Sequence, residues 1–189
     1  MSGDGAAGSK KQILSSNTPS TTSAGHFFEA VAALLGIRER NEFEAQAAME
    51  LEFAAGPTEA GNEDEELPVP HFLRSPPDRV SAGVLDWEPL LRALLAGREN
   101  GASPPLLAAR FIEAMSRLIL EVARGEARTT VVLSGGCFQN VRLLERTVAI
   151  LQEDGFTPLW PRRVPPNDGG LALGQAVVAA ARLADNPSS

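Results

Sequence analysis

Two short stretches in the carboxyl-terminal third of the chain carry residue types that ligand chemistry needs. The first is Ser134-Gly135-Gly136, which follows directly on Thr129-Thr130-Val131-Val132-Leu133. That β-branched, apolar run reads as a strand of a parallel sheet buried on both faces. Lacking Cβ atoms, Gly135 and Gly136 let backbone N–H groups at a strand-to-helix corner approach an anionic or polar ligand. Asn140 stands at or near the first turn of the helix that follows. Its short amide can hydrogen-bond a ribose or base edge, or instead satisfy backbone groups at the helix start. The second stretch is Pro165-Pro166-Asn167-Asp168-Gly169-Gly170. It gives a rigid approach, an exposed carboxylate and a flexible exit into another helix. Asp168 is either the cap of that helix or one oxygen ligand of a divalent cation, which would need partners from elsewhere. Ligands of parallel sheets gather at the carboxyl ends of the strands, so the two loops should lie side by side if their strands are neighbours.

The elements that must position these loops follow from periodicity. Phe27, Phe28, Val31, Leu34 and Leu35 recur at three- and four-residue spacing, which predicts a helix over about 25–35 with those residues in the core. Strong helix formers predict a second over 43–55, ended by Gly56-Pro57. The stretch from Gly56 to Pro70 sets acidic residues among glycines and prolines and reads as a solvated loop. Short β-compatible pieces at 69–74 and 80–86 flank a Ser-Pro-Pro-Asp turn, as in a hairpin, and a short helix follows from Glu88 to Gly97. An apolar stripe at 107, 111, 115, 118, 119 and 122 predicts a long helix over 104–124, started by Pro104 and Pro105 and ended by Gly125. From 128 to 184 the order is strand, loop, helix, strand, loop, helix. That βαβα unit demands a parallel strand pair. Residues 1–20 and 185–189 read as disordered tails around one unit at 21–184, because their few apolar side chains cannot offset the entropy of ordering.

Composition sets the outer limits. At 189 residues and 20.0 kDa the chain suits one domain of ordinary size. Apolar residues at 43% and charged residues at 22% fit a folded, globular chain. A net charge of -7 without a basic face speaks against nucleic acid as a partner. No apolar run approaches the roughly 20 residues that span a bilayer, and the amino terminus lacks a secretion signal, so a soluble, cytoplasmic protein is expected. Cys137 is the single cysteine, and with two histidines it excludes disulfide scaffolds and self-contained zinc sites. Cys137 sits where a thiol could be activated by a helix start, but a small buried apolar residue would serve equally well there. The excess of arginine over lysine points to GC-rich coding and a bacterial source.

Several motifs, taken in order, carry a resemblance. Val131-Val132-Leu133-Ser134-Gly135-Gly136-Cys137-Phe138-Gln139-Asn140 and Pro165 to Ala176 resemble the carboxyl-terminal end of the HypF-type carbamoyltransferases, which mature [NiFe]-hydrogenases. The stretch from Thr21 to Gly36, the run Glu44-Ala45-Gln46-Ala47-Ala48-Met49-Glu50-Leu51-Glu52 and the segment Asp86-Trp87-Glu88-Pro89-Leu90-Leu91 are similar to the same family. The resemblance spans about 20–183. It implies an α/β fold, the second lobe of an actin/sugar-kinase/Hsp70-like (ASKHA) domain with an added helical segment, related to TsaD and TobZ. It also implies a family reaction, transfer of the carbamoyl group of carbamoyl-adenylate to the carboxyl-terminal cysteine of HypE.

By the same resemblance, Gly135, Gly136 and Asn140 hold the adenosine part of the ligand, Gly25 lies against the nucleotide, and Glu29 stands where relatives have an Asp for the ribose. The extra methylene of Glu29 moves that carboxylate by about 1.5 Å. Glu44 and Gln46 are polar neighbours of the nucleotide, and Ala45 replaces a glycine between them. Asp168 completes a divalent-metal site whose histidines belong to the first lobe, so the site is incomplete here. Ile112 stands where many relatives have His. Trp87 and Trp160 are expected in packing or at a lobe interface. The expected ligands are carbamoyl-adenylate or ATP and a divalent metal; the expected partners are a HypE-like protein and a separately encoded first lobe. Whether the chain is itself an enzyme stays open, the alternative being a truncated, non-catalytic module that keeps nucleotide binding or partner docking.

Overall fold

The computed structural model describes residues 23–56, 67–69, 71–73 and 84–185. The expected amino-terminal tail, most of the acidic loop, the turn inside the hairpin and the end of the carboxyl-terminal tail lie outside the described residues. Helix α1 (Ala24–Leu34) and helix α2 (Gln46–Ala55) come first, then strands β1 (His71–Leu73) and β2 (Val84–Asp86). Helices α3 (Glu88–Glu99) and α4 (Pro104–Arg124) follow. Strand β3 (Thr130–Val132), helix α5 (Val141–Glu153), strand β4 (Thr157–Leu159) and helix α6 (Leu171–Asp185) complete the order.

Helix α4 is the spine. Ser103 caps it by accepting from the Leu106 N–H at 3.4 Å, and Pro104 supplies a preset first turn whose missing N–H costs nothing there. Its apolar stripe places Leu107, Phe111, Met115 and Leu118 in the core, against Phe28, Val31 and Leu35 of α1 and its C-cap and Leu51 of α2. Phe28 meets Phe111 edge-on with ring centroids 4.9 Å apart, and Trp87 lies 4.3 Å from Phe27. Burying Phe111 completely contributes about 2–3 kcal/mol. Ile112 is a fully buried core residue.

A smaller core of Ala123, Leu133 and Leu151 joins α4 and α5 to the second sheet, with Trp160 and Val131 against it. Phe138 and Ile119 pack against both cores. β1 and β2 pair antiparallel as a hairpin, with His71 opposite Asp86. β3 and β4 pair parallel, with Thr130 opposite Thr157 and Val132 opposite Leu159, as the βαβα reading requires.

One expectation needs correction. β3 is not buried on both faces: Val132 is 70% exposed and Leu159 50%. Only one face of the pair is covered by α4 and α5, and no described element lies over the other. The second correction concerns Cys137, which does not stand at the start of α5: the regular turns of that helix begin at Val141. Residues Gly136–Gln139 form a separate 3₁₀ turn, the tighter winding that short connectors adopt.

Candidate functional site

The two loops singled out by the sequence are joined by a hydrogen bond. The parallel register continues past the strands as Leu133 N–H donates to Leu159 O at 2.8 Å, and Gly135 N–H then donates to Pro166 O at 2.8 Å. Gly135 takes φ +106°, a conformation that disfavours any residue with a Cβ. The chain is thereby turned from β3 into the 3₁₀ turn while its amide stays bonded to the second loop.

The second loop is built just as tightly. Asn167, not Asp168, caps the 3₁₀ turn Asp168–Gly170, its Oδ1 accepting from the Gly169 N–H at 3.1 Å. The backbone passes so close that a Cβ at Gly170 would lie 2.8 Å from Pro165 O. Because Asn167 does the capping, the exposed Asp168 carboxylate is left without a hydrogen bond or ion pair to any described residue.

Together the loops and one side of α6 border an open cleft of about 780 Å³ at the carboxyl ends of β3 and β4. Ser134, Gly135, Gly136, Asn167 and Asp168 line one side, and Gln175 and Arg182 reach it from α6. Val164, Pro165 and Val178 form apolar wall. The cleft thus offers backbone amide corners, one carboxylate, one guanidinium and apolar surface, the mix expected of a site for a polar ligand with a flat apolar part.

Asn140 does not line this cleft. It caps α5, Oδ1 accepting from the Leu143 N–H at 2.8 Å, while its Nδ2 is buried without a hydrogen-bond partner. The helix-capping alternative is what the structure shows, with one donor left unused. Cys137 is half-buried and its thiol is pushed up by burial, which disfavours the thiolate.

The remaining candidates gather elsewhere, where α1 meets α2. Glu29 accepts from Asn41 Nδ2 at 2.7 Å, and Asn41 Oδ1 in turn accepts from the Ala47 N–H at 2.9 Å. Gln46 is buried, its Oε1 accepting from the Glu42 N–H at 2.8 Å and its Nε2 donating to Glu50 at 2.9 Å. Arg38 pairs with Glu50 at 2.5 Å. The hydrogen bond from Arg38, working against burial and helped by Gln46, holds the Glu50 carboxyl below its usual range. Glu44 is exposed, and Gly25 lies in the first turn of α1. Ala45 sits in the left-handed region at φ 60°, the one non-glycine among the described residues to do so. The structure therefore brings Gly135, Gly136 and Asp168 to one cleft and sets Gly25, Glu29, Glu44 and Gln46 on α1, α2 and the turn between them.

The described residues hold no group of three or more His, Cys, Asp and Glu side chains suited to a metal ion. Asp168 is a lone carboxylate, so the residues present do not by themselves fit a divalent ion. No described helix is long and apolar enough to cross a membrane.

A sequence-based reading misses Asn41, Glu52 and Arg142. Glu52 accepts from the backbone N–H groups of Val141 at 2.7 Å and Arg142 at 3.3 Å. Arg142 donates to Ala55 O at 2.5 Å and also to Gly56 O. No local spacing marks a pair so far apart in the chain.

A parallel strand pair whose two βα loops share a cleft with the following helix defines an α/β lobe. Comparison with known proteins supplies the family. Residues 6–175 match the model of the second subdomain of the carbamoyltransferase Kae1-like domain. The chain is 41% identical over 174 residues to the carbamoyltransferase HypF of Rhodobacter capsulatus and 38% identical over 157 residues to that of Synechocystis. These matches cover 90% and 83% of this chain but 21% and 19% of the relatives. Among solved structures, full-length HypF in a phosphate- and nucleotide-bound form aligns over 92% of this chain and 26% of its own, with a TM-score of 0.74 and 37% identity. HypF of T. kodakarensis aligns over 93% of this chain and 22% of its own, with a TM-score of 0.70 and 27% identity. The chain belongs to the HypF carbamoyltransferase family, and spans about a fifth of the length of the relatives named here.

Proposed function

We propose that the chain is the nucleotide-binding part of a carbamoyltransferase that acts in hydrogenase maturation, and that its cleft holds the adenylate of carbamoyl-adenylate. The observation that carries this reading is the Gly135 N–H to Pro166 O bond, which draws the two loop corners and the Asp168 carboxylate around one cleft. The nucleotide-bound state of a relative at 37% identity supports it. In the reaction, a thiolate of the carboxyl-terminal cysteine of a HypE-like protein attacks the carbamoyl carbon. A C–S bond forms, the bond from carbon to the phosphate oxygen breaks, and the adenylate leaves with the electron pair. The part of this chain is to bind and orient: the Gly135 N–H is already engaged by Pro166 O, so the Gly136 N–H is the amide of that corner that faces the anionic portion, and Val164, Pro165 and Val178 offer apolar surface to the base.

A first subdomain completes the active site, and the cytoplasm is the compartment this reading expects. No step is assigned to a metal, since Asp168 alone does not hold one. A second reading, a non-catalytic module, is favoured by the Glu29 carboxylate being tied to Asn41.

Thermal unfolding with and without millimolar ATP and Mg²⁺ tests the proposal, because a ligand that binds the native state raises the midpoint. A saturable rise, reduced in Asp168→Ala, is expected. Asn140→Ser keeps a capping oxygen while removing the amide, so a loss of the nucleotide-dependent rise there would assign Nδ2 to the ligand. A midpoint indifferent to nucleotide would sink the reading and leave the docking module.

A further inference from the structure

The side-chain amide of Asn41 makes two hydrogen bonds, and they serve different elements. Its Oδ1 accepts from the Ala47 N–H at 2.9 Å. Helix α2 has no side-chain cap at its own N-cap position, which is Ala45 in the left-handed region at φ 60°. Asn41 does from outside the helix what a Ser or Asp ordinarily does at the N-cap. That bond fixes where the amide stands. Its other end, Nδ2, then donates to Glu29 Oε1 at 2.7 Å.

Glu29 is half-buried on α1, and among the described residues Asn41 is its one hydrogen-bond partner. Oε1 is therefore held and Oε2 is left open. The bond lies in an exposed place, where water competes for both groups and the net gain in stability is small. What it supplies is orientation. The surface beside the carboxylate is bare: Gly25 lies one turn earlier on the same face of α1, and a Cβ there would meet, beyond its own helix, only Ser23 Oγ at 3.5 Å. Helix α1 also packs against the 3₁₀ turn that begins at Gly136, so a ligand at the Gly136 N–H has α1 for a neighbour. An ionised carboxylate oxygen only accepts hydrogen bonds, and a ribose hydroxyl is a fitting donor to it.

We propose that Asn41 is a positioning residue: it holds Glu29 by Oε1 so that Oε2 is presented to the 2′-hydroxyl of a nucleotide. The inference rests on the nucleotide reading above, and adds the hydroxyl that Glu29 meets and the residue that aims it. The methylene by which Glu29 exceeds an aspartate gives its carboxylate one more torsion to fix. Asn41 is the brace that fixes it.

The test is calorimetry of the chain with ATP and with 2′-deoxyATP, each with Mg²⁺, read as the ratio of the two affinities. A uniform loss of structure or an added charge does not move that ratio. The unaltered chain should prefer ATP by about fivefold, the worth of one net hydrogen bond. Asn41→Asp keeps an oxygen for the Ala47 N–H and removes the donor to Glu29, whereas Asn41→Ala removes both. Each should bring the ratio close to unity, as should Glu29→Ala. A preference for ATP that persists in Asn41→Asp would overturn the proposal and leave Asn41 a cap of α2. Equal affinity of the unaltered chain for the two nucleotides would overturn it while the nucleotide reading stands, with Glu29 then spent on Asn41. Absence of binding by either nucleotide would overturn both.

Discussion

The carboxylate of Glu52 and the backbone N–H of Val141 meet at 2.7 Å across 89 positions of sequence. Arg142 returns the contact by donating to Ala55 O at the end of α2. Each helix thus satisfies orphan backbone groups of the other: a carboxylate sits at the positive start of α5 and a guanidinium at the negative end of α2. The start of α5 is also where the Gly135–Gly136 corner ends, so this exchange holds one wall of the cleft to the helical layer.

Replacing Glu52 by Ala should therefore cost about 1–2 kcal/mol, the range for removing a helix cap. At roughly 2–4 °C per kcal/mol for a chain of this size, the unfolding midpoint should fall by about 2–8 °C. Nucleotide-dependent stabilisation should shrink with it. An unchanged midpoint would mean that water replaces the carboxylate without loss.

Ala45 offers the opposite effect. Its left-handed backbone is strained by a Cβ that glycine lacks. Ala45→Gly should raise stability by about 0.5–1 kcal/mol, net of the extra freedom glycine has in the unfolded chain. Urea unfolding would show this as a higher midpoint at constant slope.

Gly170→Ala should act on the cleft and spare the core. The added Cβ would lie 2.8 Å from Pro165 O, a backbone atom that cannot swing aside. The second loop must shift, and with it Asp168 and Pro166. The expected outcome is a nucleotide affinity reduced at least tenfold, measured by calorimetry, with the far-ultraviolet circular dichroism of the helices retained.

The half-buried Glu113 ties α4 to α5. It accepts from Arg146 Nε at 2.6 Å and from Arg117 Nε at 2.9 Å. Burial pushes its carboxyl up, but the hydrogen bonds from Arg146 and Arg117 and their positive charges outweigh this, and the net shift is downward. A carboxyl lowered on folding contributes stability that is fully present above its unfolded value and is lost as pH falls through the folded one. The unaltered chain should therefore be more stable than Glu113→Gln at pH 7, and the gap should close as pH drops below about 4. A gap that stays constant from pH 7 to pH 3 would contradict the assignment.

The helices were legible because their apolar spacing is local. Phe28, Val31, Leu107 and Phe111 announce both their helix and their burial. The two cleft loops were legible for a related reason: glycine and proline at fixed offsets from a strand have few other uses. What sequence could not show is which side chains are already engaged. Asn140 and Asp168 each read as a ligand group or as a cap, and only the structure reveals that Asn140 caps through Leu143 and that Asn167, not Asp168, caps through Gly169. The Glu52–Arg142 exchange was invisible because it depends on tertiary distance alone. The exposure of Val132 was misread for a similar reason, since a β-branched run records that a face is meant to be covered and not which body covers it.

Phe138 packs against both cores. Its ring is a common axle for the helical layer and the strand layer, and the Gly135–Gly136 corner is mounted next to it. Trimming that ring, as in Phe138→Ala, should therefore loosen both layers and the corner at once, seen as faster hydrogen exchange at the residue 138 amide, which donates to Gly135 O at 3.1 Å.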